Sequence, residues 1–160
     1  MCIGAILVCG ILGGYGKEAI IFLLSFIPIR ITAGGYHAGS YGRCFIMTNA
    51  IAAGCIMIAE WMHSIGNRCV NAVAFVMGAG AVWYIWKNAP IIPHRYQGKT
   101  ARYEINRIYS HRILWIQGSI FSIYWFVGNE RGYLIAVTSF IVAIMMEMAK
   151  RGGELIWIQY

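Results

Sequence analysis

Histidine, cysteine, arginine and glycine crowd one short stretch of this chain, Arg30-Ile-Thr-Ala-Gly-Gly-Tyr-His-Ala-Gly-Ser-Tyr-Gly-Arg-Cys44. His37 and Cys44 bring a base and a thiol to one segment, the pairing that nucleophilic catalysis needs: a thiolate attacks a carbonyl while an imidazole takes and returns the proton. Cys44 opens a long apolar run. Unpaired backbone N–H groups at a helix start favour negative charge on the sulfur, and the neighbouring Arg43 acts in the same sense. Gly39 and Gly42 let the chain fold back, so the imidazole can reach the sulfur. The bland alternative is a loop histidine and a helix-start cysteine that never meet.

The elements that must position these groups belong to a membrane. Of the 160 residues 59% are hydrophobic and only 12% charged, too little charge to cover a soluble domain of this size. Six tryptophans and ten tyrosines suit the amphipathic rings that collect at bilayer interfaces. The expected fold is all-α, a polytopic helical membrane protein with about six membrane-embedded helices and one domain over 1–160. Four apolar runs, Cys44 to Met62, Val70 to Trp86, Ile113 to Gly128 and Tyr133 to Ala149, approach the ~20 residues that cross a bilayer. Two shorter runs precede them, Cys2 to Leu12 and Ala19 to Ile29. They are split by Gly13-Gly14-Tyr15-Gly16-Lys17-Glu18, which reads as a turn. It lacks the first glycine and the final Ser or Thr of a phosphate loop. No basic region precedes the first run, so no cleavable signal peptide is expected.

Charge orients this arrangement. With six crossings, Arg30, Arg43, Lys87, Arg95, Lys99, Arg102, Arg107, Arg112, Lys150 and Arg151 share one side, whereas Lys17, Arg68 and Arg131 lie on the other. Ten bases against three put the His37–Cys44 loop and the basic stretch Lys87–Arg112 in the cytoplasm by the positive-inside rule. The net charge of +7 is thereby explained by topology, and nucleic acid is not an expected partner. Small residues four apart, Gly10 with Gly14 and Ala74 with Gly78, allow close helix approach, within the chain first and in a homodimer second.

The other candidates are weaker. Cys55 lies eleven residues past Cys44, about 16 Å along a helix and so near mid-bilayer. Cys69 and His63 fall on the opposite side, and Cys2 and Cys9 have no nearby histidine. His94 and His111 share the side of Cys44 and read as interfacial loop residues. No HExxH occurs, the cysteine spacing suits neither zinc nor a disulfide framework, and no Asp exists for a paired-aspartate protease. Neither a metal nor a cofactor is expected. The group orienting the histidine stays open among a backbone carbonyl, Asn49, Ser40 and a glutamate. Glu60 and Glu147 read more simply as snorkelling or as pairing to Lys150.

Arg30, Gly34-Gly35, His37-Ala38 and Cys44 together resemble the signature of AgrB, the membrane endopeptidase of peptide quorum sensing. Ala89-Pro90 closing the fourth run, followed by Lys99, Glu104 and Arg107, extends the likeness over roughly Ile20 to Met148 in layout. Family members usually carry a longer N-terminal region. The resemblance implies an AgrD-like precursor peptide with an acidic C-terminal tail, processed at the bacterial cell membrane by a multi-pass enzyme. It makes Cys44 the nucleophile and His37 the general base and acid. The tail leaves, a thioester forms, and an internal Cys or Ser of the peptide closes a thiolactone or lactone ring. In such an enzyme Arg30, Gly34, Gly35 and Arg43 would bind substrate or brace the loop, and Arg95, Lys99 and Arg102 would hold the acidic tail. The bases also suit contact with anionic membrane lipids. The competing reading is a non-enzymatic small membrane transporter or peptide-export component, which would keep transport without cleaving a peptide.

Overall fold

The computed structural model describes residues 2–33, 41–90, 100–127 and 131–152, which form six helices with no strand among the described residues. They are α1 (Cys2–Leu12), α2 (Gly16–Ala33), α3 (Tyr41–Ile65), α4 (Arg68–Asn88), α5 (Thr100–Phe126) and α6 (Arg131–Gly152). Helices are what an apolar solvent permits, because every backbone polar group is satisfied within the segment. Three are long and apolar enough to cross a membrane: Gly42–Ile65, Arg68–Asn88 and Gly132–Arg151. The chain is a helical membrane protein. Its outer faces carry large apolar side chains in the open, among them Ile46, Met57, Trp61, Val76, Trp83 and Ile116.

Helix α6 is the axis of the bundle. Leu134 to Ser139 are buried without interruption, as are Val142, Ala143, Met145 and Met146. A helix buried nearly all round must be enclosed by its neighbours, and α2, α3, α4 and α5 all pack on it. The contact with α4 is the closest fitted. A Cβ placed on Gly78 would stand 3.0 Å from Phe121 Cζ and 3.2 Å from Ala136 Cβ. Two polar pairs fasten the same interface: the Tyr133 hydroxyl donates to Asn71 Oδ1 near one end, and the Tyr84 hydroxyl donates to Glu147 near the other. Both pairs join matching ends, so α4 and α6 run parallel. In the core between them and α5, Gln117 Nε2 donates to Ser139 Oγ at 2.8 Å. Bonds of this kind hold membrane helices in register where hydrophobic burial cannot.

The connections explain the other directions. Gly66 (φ 53°) and Asn67 turn α3 into α4, and Asn67 caps α4 by accepting the Val70 N–H at 2.8 Å. Ala89, extended as a residue before proline must be, ends α4. Trp86 meets His111 while Phe75 meets Phe121 and Trp125, so α5 runs antiparallel to α4. Consequently the start of α3, the end of α4, the start of α5 and the end of α6 lie at one end of the bundle.

Three expectations need adjustment. The α3 helix starts at Tyr41, ahead of Cys44. α5 starts at Thr100, so much of the basic stretch expected as a loop is helical; Ala101, Arg102, Glu104 and Arg107 are good helix formers whatever their polarity. α5 also falls outside the apolar spans, because Gln117, Gly118, Ser119 and Ser122 dilute its apolar half. Of the small-residue pairs, Gly10 and Gly78 do pack within the chain: a Cβ on Gly10 would meet Ala19 Cβ at 2.6 Å. Gly14 instead serves the turn between α1 and α2 at φ +82°.

Substituting Gly78→Leu should destabilise the bundle by about 1–3 kcal/mol through overpacking against Phe121 and Ala136. Gly80→Ala, on the same helix with open space at its Cβ, should be neutral or slightly stabilising. Thermal melting of the two variants in detergent measures the difference.

Candidate active site

The local geometry begins with the end of α2. Pro28 sits inside that helix and removes one N–H from its ladder, while the Thr32 hydroxyl donates back to the Pro28 carbonyl at 2.9 Å. Ile29 and Ala33 are buried, which pins the last turn against the bundle and leaves Arg30 half-buried beside them. Burial lowers the pKa of Arg30, and Cys44 nearby opposes that shift. Cys44 stands in the first turn of α3, half-buried and free of any disulfide, with its carbonyl accepting the Thr48 hydroxyl at 2.8 Å. Thus the ends of two helices present a base-rich, N-terminal-dipole environment to a single thiol.

His37, Gly34, Gly35 and Ser40 lie outside the described residues, in the segment of chain that joins Ala33 to Tyr41. Arg95, Lys99 and His94 lie outside them as well. Arg102 is in the first turns of α5, at the same end of the bundle as Cys44. Arg43 is exposed next to the thiol. The structure therefore brings Arg30 and Cys44 together and puts the start of α5 at their end of the molecule.

The described alternatives for an orienting group have places and partners of their own. Asn49 follows Cys44 by five residues, about 140° round the helix, and its Nδ2 donates to the Phe45 carbonyl at 2.8 Å. Glu60 stands near the far end of α3, several turns from Cys44. Glu147 pairs with Arg151 at 2.6 Å and accepts from Tyr84, in place of the expected Lys150 partner. An i,i+4 pair on a helix end reaches more easily than i,i+3 here, and Tyr84 then fixes the carboxylate from α4. No signal in the sequence could have linked Tyr84 to Glu147, because the pairing exists only once α4 and α6 are parallel.

Cys55, Cys69 and His111 stand apart from Cys44. Cys55 is buried in the core against Thr138 of α6. Cys69 is exposed in the first turn of α4, at the end of the bundle opposite to Cys44. His111 belongs to α5 and not to a loop. It stacks on Trp86 with ring centroids 4.1 Å apart and an interplanar angle of 8°, and its Nε2 lies 3.2 Å from the Trp86 carbonyl. Among the described residues no group of three or more His, Cys, Asp or Glu side chains gathers to hold a metal ion.

With this geometry in hand, comparison with known proteins is informative. The family model described as "AgrB: Accessory gene regulator B" matches residues 1–148. "Putative AgrB-like protein 1" of Clostridium perfringens (strain 13 / Type A) is 35% identical over 95 residues, covering 59% of this chain and 48% of that protein. The chain thus spans about half the length of the curated relative it matches. No solved structure matches. A family match that runs from α1 through most of α6, over the Arg30–Cys44 junction, leads to one conclusion: the chain belongs to the accessory gene regulator B family.

Proposed function

We propose that this protein is a membrane-embedded cysteine endopeptidase, a single transmembrane peptidase unit that processes an AgrD-like quorum-sensing propeptide. The observation that carries the reading is the free, half-buried thiol of Cys44 in the first turn of α3, with Arg30 near it at the end of α2, across a junction whose seven undescribed residues include His37. Family membership supports the same reading. In the proposed reaction Cys44 Sγ attacks the carbonyl at the junction of pheromone and tail. The C–N bond breaks, His37 gives the departing amine its proton, and a thioester to Cys44 remains. An internal thiol or hydroxyl of the peptide then attacks this thioester and releases the sulfur of Cys44, leaving a (thio)lactone ring. Exchange between thioesters is nearly balanced in energy, so the ring can close without ATP provided that water is kept from the acyl group. A thiol at the end of an apolar bundle meets that condition.

The same reading gives the bases a role. Arg43 and Arg102 lie at the end that holds Cys44, and the chain between α4 and α5 adds Arg95 and Lys99. An acidic tail would be drawn there by charge, with Arg30 bracing the loop or meeting a carboxylate. We place this end in the cytoplasm of a multi-pass protein because the described bases Arg43, Lys87, Arg107, Arg112 and Lys150 all gather there, whereas Lys17 and Arg68 lie at the other.

Cys44→Ser should abolish cleavage of the precursor, His37→Ala should be inactive as well, and Cys55→Ser and Cys69→Ser should retain most activity. Release of the tail, followed by mass spectrometry, reads all four. Equal activity in Cys44→Ser and the parent sinks the assignment.

If Arg30 meets a substrate carboxylate, Arg30→Gln should slow cleavage at low precursor concentration about tenfold. Rates that match the unsubstituted chain would reduce Arg30 to a structural brace.

Joint replacement of Arg95, Lys99 and Arg102 by Gln should raise KM for the precursor and weaken its salt dependence. Exposed pairs contribute only about 0–1 kcal/mol each, so single replacements should be mild. Cleavage of a precursor already bound should continue at the parental rate, and an unchanged KM would return these bases to a purely topological role.

A further inference from the structure

Helices α4 and α5 diverge on the outer face of the bundle and leave a groove of ≈ 690 Å³, lined by Phe75, Val82, Trp83, Trp115, Gly118 and Ile123 among others. Its walls are almost wholly apolar. Its two hydroxyls are already spent on their own helix, Ser119 on the Trp115 carbonyl and Ser122 on the Gly118 carbonyl, each at 2.8 Å. An extended peptide laid there would find no partners for its backbone, so the groove suits hydrocarbon. From Phe75 to Trp86 it runs about 16 Å along α4, the depth of one leaflet of a hydrocarbon core of about 30 Å. A membrane-crossing helix would need twice that length.

The two ends of the groove differ. At one end Phe75, Phe121 and Trp125 pack together. At the other, His111 lies flat on Trp86, and Trp115 meets Trp86 edge-on with centroids 5.8 Å apart. Two exposed bases flank this aromatic end. Lys87 is one helical turn beyond Trp83, on the same face of α4, and Arg112 is three residues before Trp115, on the same face of α5. Aromatic rings at that level with cations just beyond them are the order of chemistry found at a membrane interface.

We propose that this groove seats one acyl chain of an anionic phospholipid, whose phosphate is held by Lys87 and Arg112 above the Trp86–His111 stack. The site is separate from Cys44 and does not depend on the peptidase reading. The lipid fills the gap between α4 and α5, where direct helix contact is sparse, and so supports the start of α5.

The test uses the full chain in phosphatidylcholine micelles, titrated with phosphatidylglycerol carrying brominated acyl chains, which quench tryptophan on contact. Trp83, Trp86 and Trp115 should show saturable quenching by the brominated phosphatidylglycerol and none that saturates with brominated phosphatidylcholine. Lys87→Gln with Arg112→Gln should weaken the apparent affinity about tenfold. Gly118→Phe, at a position whose Cβ has open space, should fill the groove and remove the saturable component while the bases remain. Equal quenching by the two lipids would overturn the headgroup contact. Saturable binding that survives Gly118→Phe would overturn the groove as the site. A chain that is dimeric in the same micelles and becomes monomeric with Gly118→Phe, lipid binding unchanged, would assign the groove to a second copy and overturn the proposal.

Discussion

Everything in this fold is referred to α6. A helix that buries Leu134 through Ser139 without a break must be largely surrounded by its neighbours, leaving only Phe140, Ile144 and Met148 of its large apolar side chains turned outward. In a bilayer that enclosure cannot be driven by hydrophobic burial alone, since lipid tails are as apolar as the side chains they would replace. Fit and polar pairing do the work. Gly78 lets α4 approach Ala136 closely, Asn71–Tyr133 and Tyr84–Glu147 set the register, and Gln117–Ser139 ties α5 to the same axis. Once α4 and α6 are held parallel, α5 must return between them. The short Gly66-Asn67 turn then sends α3 the other way, which delivers the start of α3 to the end where α4 and α6 finish.

That delivery is what makes a reaction centre conceivable. Cys44 stands in the first turn of α3, and Arg30 lies near it because α2 finishes at the same level. The last turn of α2 is pinned by Ile29 and Ala33, both buried, so the core fixes where Arg30 leaves the helix. A precursor peptide lying on the membrane would meet the thiol at the interface, with positive charge around it and apolar helices beneath. On this account the membrane supplies dryness and the bundle supplies position.

Much of this was legible in the residues, for physical reasons that differ by element. Apolar runs announced α3, α4 and α6 because a bilayer imposes length and composition directly. The Gly34-Gly35, His37 and Cys44 pattern pointed to the family because its residues sit close in sequence. The small-residue pairs foretold close packing at Gly10 and Gly78, yet Gly14 shared the spacing and turned out to serve a turn. Hydropathy missed the first half of α5, since Arg102, Glu104 and Arg107 form helix readily but look like loop to an apolar filter. Tyr84–Glu147 and Trp86–His111 could not be read at all, because each joins residues far apart in the chain through the three-dimensional course of α4.

The central claim is that Cys44 carries the peptide as a thioester, and intact-protein mass spectrometry after rapid acid quenching tests it most directly. Mixed with a precursor whose internal nucleophile has been replaced by alanine, the protein should gain the mass of the precursor without its tail. The adduct should map to Cys44 and be released by neutral hydroxylamine. Tail release with no such adduct, or an adduct that persists in Cys44→Ala, would contradict the account.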